Sequence, residues 1–183
     1  LATSNMMYLT AGVYQKNIRL SKAVTILLYC GIFNLIGAMI IGAAFAYSSA
    51  FNAMDVQHFI VGLVKGKALR GNGQVLLEAV LANIFVNVAI LAFLLIKDDA
   101  AKMWIIISAI FMFVFLGEEH VVANFASFSI VKFSAVSPSL EFMNWFNLIR
   151  HWVVAFIGNT IGGGVIVGLA YAFLNKTKSV YHE

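Results

Sequence analysis

The sequence predicts an all-α membrane protein built as an inverted repeat, and three observations carry that prediction. Of its 183 residues, 62% are hydrophobic and only 11% are charged. With a mean hydropathy of +0.92, the chain is far more apolar than a soluble domain of this length. Apolar segments long enough to cross a bilayer recur along it, and two of them share a short motif. Each of those two is preceded by an apolar element that small and polar residues interrupt.

The expected spans run from Ala23 to Ser48, from Val75 to Ile96, from Met103 past a charged patch to Phe128, and from Trp145 to Leu174. A helix needs about 20 apolar residues to cross the hydrocarbon core, and each segment supplies them. A shorter piece, Leu1 to Val13, opens the chain. Its LATSNMM start has no initiator Met, no basic region and no cleavage site, and it is too short to span alone. It reads as the second half of a helix, so the chain is expected to be the C-terminal portion of something longer, with residues 1–183 forming one transmembrane domain. Cys30 lies inside an apolar span, where it packs; one cysteine makes neither a disulfide framework nor a metal cluster.

Charge placement predicts orientation. Lys16, Arg19, Lys22, Lys97, Lys102, Lys176 and Lys178 fall on one side if alternate connections share a side. Lys65, Lys67, Arg70, Lys132 and Arg150 fall on the other. The positive-inside rule puts the first set, and the C-terminus, in the cytoplasm. Topology and lipid contact account for the net charge of +4 without any nucleic-acid partner.

The shared motif is N-x-I-G-x-x-x-I. It occurs as Asn34, Ile36, Gly37 and Ile41, and again as Asn159, Ile161, Gly162 and Ile166. The interrupted elements before the two copies are LATSNMM and HVVANFASFS. Broken helices in corresponding positions of two halves point to a transport site near the bilayer midplane. A broken backbone is tolerated at that depth only inside protein or along a watered cavity. With three spans per half, the second half is inverted relative to the first.

The charged patch is Gly117-Glu118-Glu119-His120, followed by Val121-Val122-Ala123-Asn124. Read as continuous helix, Phe113, Gly117, His120 and Asn124 recur at i, i+4, i+7 and i+11 on one face, with Glu118 and Glu119 off it. Ionisable groups inside a membrane are costly and mark function. The competing reading, a helix ending at Gly117 with an interfacial GEEH loop, is opposed by the apolar residues on both sides.

Other features read as structural. GNTIGGG lacks the Lys-Ser/Thr of a phosphate loop; Gly158 with Gly162, and Gly164 with Gly168, form small faces for close helix packing. His58 and His182 lie in polar segments and read as solvated. His151, between Arg150 and Trp152, reads as an interfacial anchor, Glu78 as snorkelling to the interface, and Trp104 and Trp145 as an aromatic belt. No Ser/His/Asp set, metal-ligand spacing or haem motif occurs, so no cofactor or metal is implied.

In order along the chain, Leu1-Ala2-Thr3-Ser4, the Phe33 to Gly37 stretch, Leu81-Ala82-Asn83 with Val86, GxEHxVAN from Gly117 to Asn124, and GNTIGGG from Gly158 to Gly164 resemble the formate/nitrite transporter family. The resemblance implies an aquaporin-like fold of six transmembrane helices, the second and fifth broken, in a homopentamer with one pore per protomer. Aligned so, this chain lacks the first helix and the first half of the second. The resemblance places Leu1, Ala2 and Val86 at a cytoplasmic constriction and Phe113 at a periplasmic one. It makes His120 the central histidine, with Thr3 facing it, Asn83 one turn from Val86, and Asn124 and Asn159 near the helix breaks. Glu119 is the acidic residue before that histidine.

Glu118 departs from the pattern, standing where the family typically has Phe or Tyr. With no Lys or Arg in the spans nearby, it is expected to pair with a basic group from preceding helices or to face a wet vestibule. Together these features imply a channel or transporter in the plasma (inner) membrane for a small monovalent anion or its conjugate acid: formate, nitrite, hydrosulfide, acetate or lactate. Proton linkage is expected at His120, with the proton coming either from its ring or from bulk water relayed past it. Two alternatives stay open: a membrane-embedded enzyme using Glu118, Glu119 and His120, and a structural membrane subunit.

Overall fold

The computed structural model describes residues 1–176; Lys178 and His182 lie outside them. Among the described residues the chain is helical, without strands. Helix α1 spans Ala2–Tyr14, α2 Leu20–Ala46, α3 Phe59–Ala68, α4 Asn72–Leu95, α5 Asp99–Phe115, α6 Val121–Phe133 and α7 Trp145–Asn159. A π-helical stretch, Thr160–Gly168, joins α7 to α8, Leu169–Lys176. Among the described residues, three helices are long and apolar enough to cross a membrane: Leu20–Ala46, Asn72–Leu95 and the run Trp145–Lys176.

The remaining expected span is not one helix. It is split into α5, of 17 residues, and α6, of 13. The reason is local. Gly117 adopts φ +69, a conformation that costs glycine little. Its N–H donates to Val114 O at 3.1 Å, and the Glu118 N–H reaches back to Phe113 O at 3.1 Å. That bond pair is a Schellman stop. Glu118 and Glu119 then cross as irregular backbone, and His120 starts α6 as its N-cap, Nδ1 accepting from Ala123 N at 3.2 Å. The continuous-helix reading is therefore corrected: the helix does end at Gly117, and the chain resumes as α6 with Glu119 and His120 buried at the break.

The two copies of the repeated motif do the same work. Asn34 Oδ1 accepts from Ala2 N, the first amide of α1, at 2.9 Å. Asn159 Oδ1 accepts from Val121 N, the first amide of α6, at 2.8 Å. Each half thus uses its motif asparagine to satisfy an orphan donor where a helix begins inside the protein. The halves then interlock crosswise, α2 packing on α6 and α1 on the π stretch, while α4 packs on α7.

Glycines set how closely these helices approach. A Cβ on Gly158 would stand 2.6 Å from Leu76 O in α4, and one on Gly168 3.0 Å from Met7 O in α1. The expected small-residue packing is what the backbone requires.

Helix α3 is the element the sequence left as a polar connection. Val61 and Val64 belong to the same core cluster as Phe128, Leu148 and Ala155, which seats α3 against α6 and α7. His58, expected to be solvated, is half-buried and caps α3, Nδ1 accepting from Ile60 N at 3.3 Å. Arg150, at the start of the last span, also serves α3. It closes the other end of α3, donating to Ala68 O at 2.7 Å and to Arg70 O at 3.1 Å, where a cation also suits the helix dipole. Arg150→Ala leaves both carbonyls without that donor and is expected to destabilise the protein by about 1–3 kcal/mol, read as a lowered Tm in detergent.

Candidate functional site

The break between α5 and α6 exposes three consecutive carbonyls, and side chains from elsewhere satisfy each one. Lys67 Nζ donates to Gly117 O at 3.1 Å and to Glu118 O at 3.0 Å. Arg70 Nη1 donates to Gly117 O at 3.1 Å. Asn159 Nδ2 donates to Glu119 O at 2.9 Å. The unwound backbone is thereby satisfied by protein groups.

The Glu119 side chain is the hub of this arrangement. Wholly buried, it accepts from Lys67 Nζ at 2.9 Å, Arg70 Nη1 at 2.5 Å and Asn124 Nδ2 at 2.6 Å. His151 Nε2 stands 3.3 Å from the same carboxylate, with its ring packed on Phe128 at a centroid distance of 4.9 Å. Two cations and an amide around one carboxylate give a buried ion its required partners.

His120 sits beside the hub and faces inward. Its Nε2 is 3.0 Å from Thr3 Oγ1. Because Nδ1 accepts from Ala123 N, the proton of the neutral ring lies on Nε2 and points at the threonine oxygen. This bond joins the first turn of α1 to the N-cap of α6, so the N-termini of two half-helices meet there. Both positive dipole ends converge on one place, which favours an anion. Phe113 is buried and packs against His120 with the rings tilted, centroids 5.4 Å apart.

Leu1 and Val86 line a shared cavity of about 400 Å³ with Ser4, Tyr8, Ile90 and Ile110. Ala2 is buried beside them in sequence but is not among the lining residues. Asn83 Nδ2 is committed to Asn159 O at 2.7 Å and Thr3 O at 3.2 Å. Asn159 completes the lattice, its Nδ2 also reaching Ala79 O at 2.7 Å. These two amides cross-link α1, α4 and α7 around the His120–Thr3 pair.

A sequence model described as formate/nitrite transporter matches residues 1–173. The chain belongs to the formate/nitrite transporter family. Among relatives of this family, the formate channel BtFdhC of Bacillus thuringiensis is 31% identical over 93% of this chain and 64% of its own. The formate-nitrite transporter of Plasmodium falciparum is 26% identical over 96% of this chain and 58% of its own. The chain thus spans somewhat less than two thirds of the length of these curated relatives. A solved structure titled FNT family ion channel superposes with a TM-score of 0.86 at 23% identity, covering 95% of this chain and 68% of that one. The fold is therefore that of a formate/nitrite transporter channel.

Three residues of the site escaped sequence reasoning. By charge placement alone Lys67 and Arg70 fall with the connections opposite the first basic set, yet α3 and the residues just after it carry them to the break. Their spacing of three on an apolar-flanked segment, FIVGLVKGKALR, was the available signal. His151 was read as an interfacial anchor but is fully buried against Glu119. It belongs to the buried stripe Leu148, His151, Ala155 and Asn159 of α7, whose spacing by threes and fours places it on the core face. Glu78, expected to snorkel, pairs with Arg70. The Glu118 expectation rested on there being no nearby cation, and that premise is corrected. Lys67 holds the Glu118 carbonyl, while the buried Oε2 of its side chain has no partner among the described residues.

Proposed function

We propose that this chain forms the pore of a channel or transporter for small monovalent anions of weak acids, of the formate and nitrite class, with proton linkage through His120. The observation that carries the reading is the His120–Thr3 bond at the meeting point of two half-helix N-termini. A weak-acid anion loses its hydration at an apolar constriction at great cost, whereas its conjugate acid loses far less. Phe113 supplies one apolar wall beside His120, and Leu1 and Val86 the lining of a cavity on the α1–α4 side. Ala2, Asn124, Asn83 and Asn159 position these groups, and Glu118 and Glu119 tune the local charge. Converging helix dipoles attract the anion, and a proton held at or relayed past His120 neutralises it for passage.

The protein acts as a homopentamer in the plasma (inner) membrane, with its C-terminus in the cytoplasm. Support for the membrane assignment comes from the three long apolar helices and for the substrate class from the names of the relatives. In liposomes, formate uptake is expected to rise several-fold as pH falls from about 8 to about 5, as protons that can neutralise the anion beside His120 become more abundant. His120→Ala is expected to flatten that profile. Wild-type uptake indifferent to pH across this range overturns the proton linkage.

A further inference from the structure

Lys67 and Arg70 both stand at the helix break, but they differ in what they have left to offer. All three donors of the Lys67 ammonium have protein acceptors: Gly117 O, Glu118 O and Glu119 Oε2. Arg70 is different. Its contacts to Glu78, Gly117 O and Glu119 all run through Nη1, and no described residue accepts from Nε or Nη2. The side chain remains 23% exposed. Leaving aside the residues adjacent to it in the chain, a Cβ built on Gly117 would meet only Arg70 Nη2, at 3.9 Å. A glycine with no side chain and a guanidinium edge with two spare donors thus face each other, three residues before His120.

Resting on the anion-pore reading above, we propose that the Nε–Nη2 edge of Arg70 is a docking site for a planar two-oxygen monoanion, a carboxylate or nitrite, over Gly117. The fixed fork of a guanidinium matches two oxygens of one planar group, which a spherical anion such as hydrosulfide cannot offer. Glu78 and Glu119 on Nη1 hold the plane of the fork and leave its other edge presented. The charges facing the site are Lys67 and Arg70 against Glu78 and Glu119, with Glu118 as the fifth group, so the anion is held chiefly by directed hydrogen bonds.

The test is a comparison of half-saturation constants for formate, nitrite and hydrosulfide in the intact protein reconstituted in liposomes. Arg70→Lys keeps the charge and removes the fork. It is expected to raise the constants for formate and nitrite relative to hydrosulfide by about tenfold. Glu78→Gln, which leaves Arg70 in place with one competing charge fewer, is expected to lower the formate constant relative to hydrosulfide by about threefold. If Arg70→Lys fails to fold, the Glu78→Gln ratio alone decides. A formate-to-hydrosulfide ratio that neither variant moves, with wild-type formate uptake intact, overturns the docking site and leaves the pore reading standing. A wild-type protein that passes no formate at any pH removes both.

Discussion

Glu119→Gln is expected to lower the stability of the protein by about 3–5 kcal/mol, the usual consequence of removing one member of a buried charge pair. The carboxylate is wholly buried and holds Lys67, Arg70 and Asn124 within 2.9 Å. Glutamine keeps the shape but withdraws the charge, and its amide nitrogen is a donor placed among donors. Two cations then lie close together, Arg70 still paired with Glu78 but Lys67 without its buried carboxylate partner. The groups that close the helix break through Gly117 O and Glu118 O are the same two cations, so the irregular backbone leading to His120 loosens with them. A fall in Tm of about 10 °C in detergent is expected, together with loss of formate uptake. A variant as stable as wild type would show that the hub is not what holds the break.

Gly162→Ala is the second large effect. A Cβ there would stand 2.1 Å from Val80 O, 2.9 Å from Val80 C and 3.0 Å from Val80 Cα. All three are backbone atoms of α4, so no rotamer change relieves the contact. The π stretch must move away from α4 by about an ångström to bring the closest contact past 3.0 Å. In doing so it strains the 2.7 Å bonds from Asn83 to Asn159 O and from Asn159 to Ala79 O. The cost exceeds the roughly 1–3 kcal/mol typical of an added methyl in a packed core, and the expected readout is loss of monodisperse protein in size-exclusion chromatography. Gly73→Ala in the first turn of α4 is the matched control. Nothing lies within 4 Å of its Cβ position, and alanine favours helix over glycine by about 1 kcal/mol, so its yield should equal or exceed wild type.

The fold was legible where one physical term dominates. Hydropathy marks the membrane class, because each buried polar backbone group must be satisfied within a helix. The N-x-I-G repeat marks the two halves, and Asn34 and Asn159 do cap the first amides of α1 and α6. The site was legible in part, and for a reason that needed correction. A continuous helix would align Phe113 with His120; the real chain stops at Gly117 and restarts, yet the two rings still meet at 5.4 Å. The glycine before two carboxylates was the visible sign of the stop, since a residue with positive φ ends helices more often than it continues them.

The amino-acid sequence alone determined the solvent this protein lives in, its internal repeat, the glycine faces and the unusual histidine. Those follow from composition and short-range spacing, which a single chain displays without being folded. Only the tertiary structure decided what surrounds Glu119. Lys67 and Arg70 arrive from 52 and 49 residues away, and His151 from α7. A buried carboxylate collects partners by proximity in space and by its need to be neutralised out of water, and no periodicity along the chain records which cations will reach it.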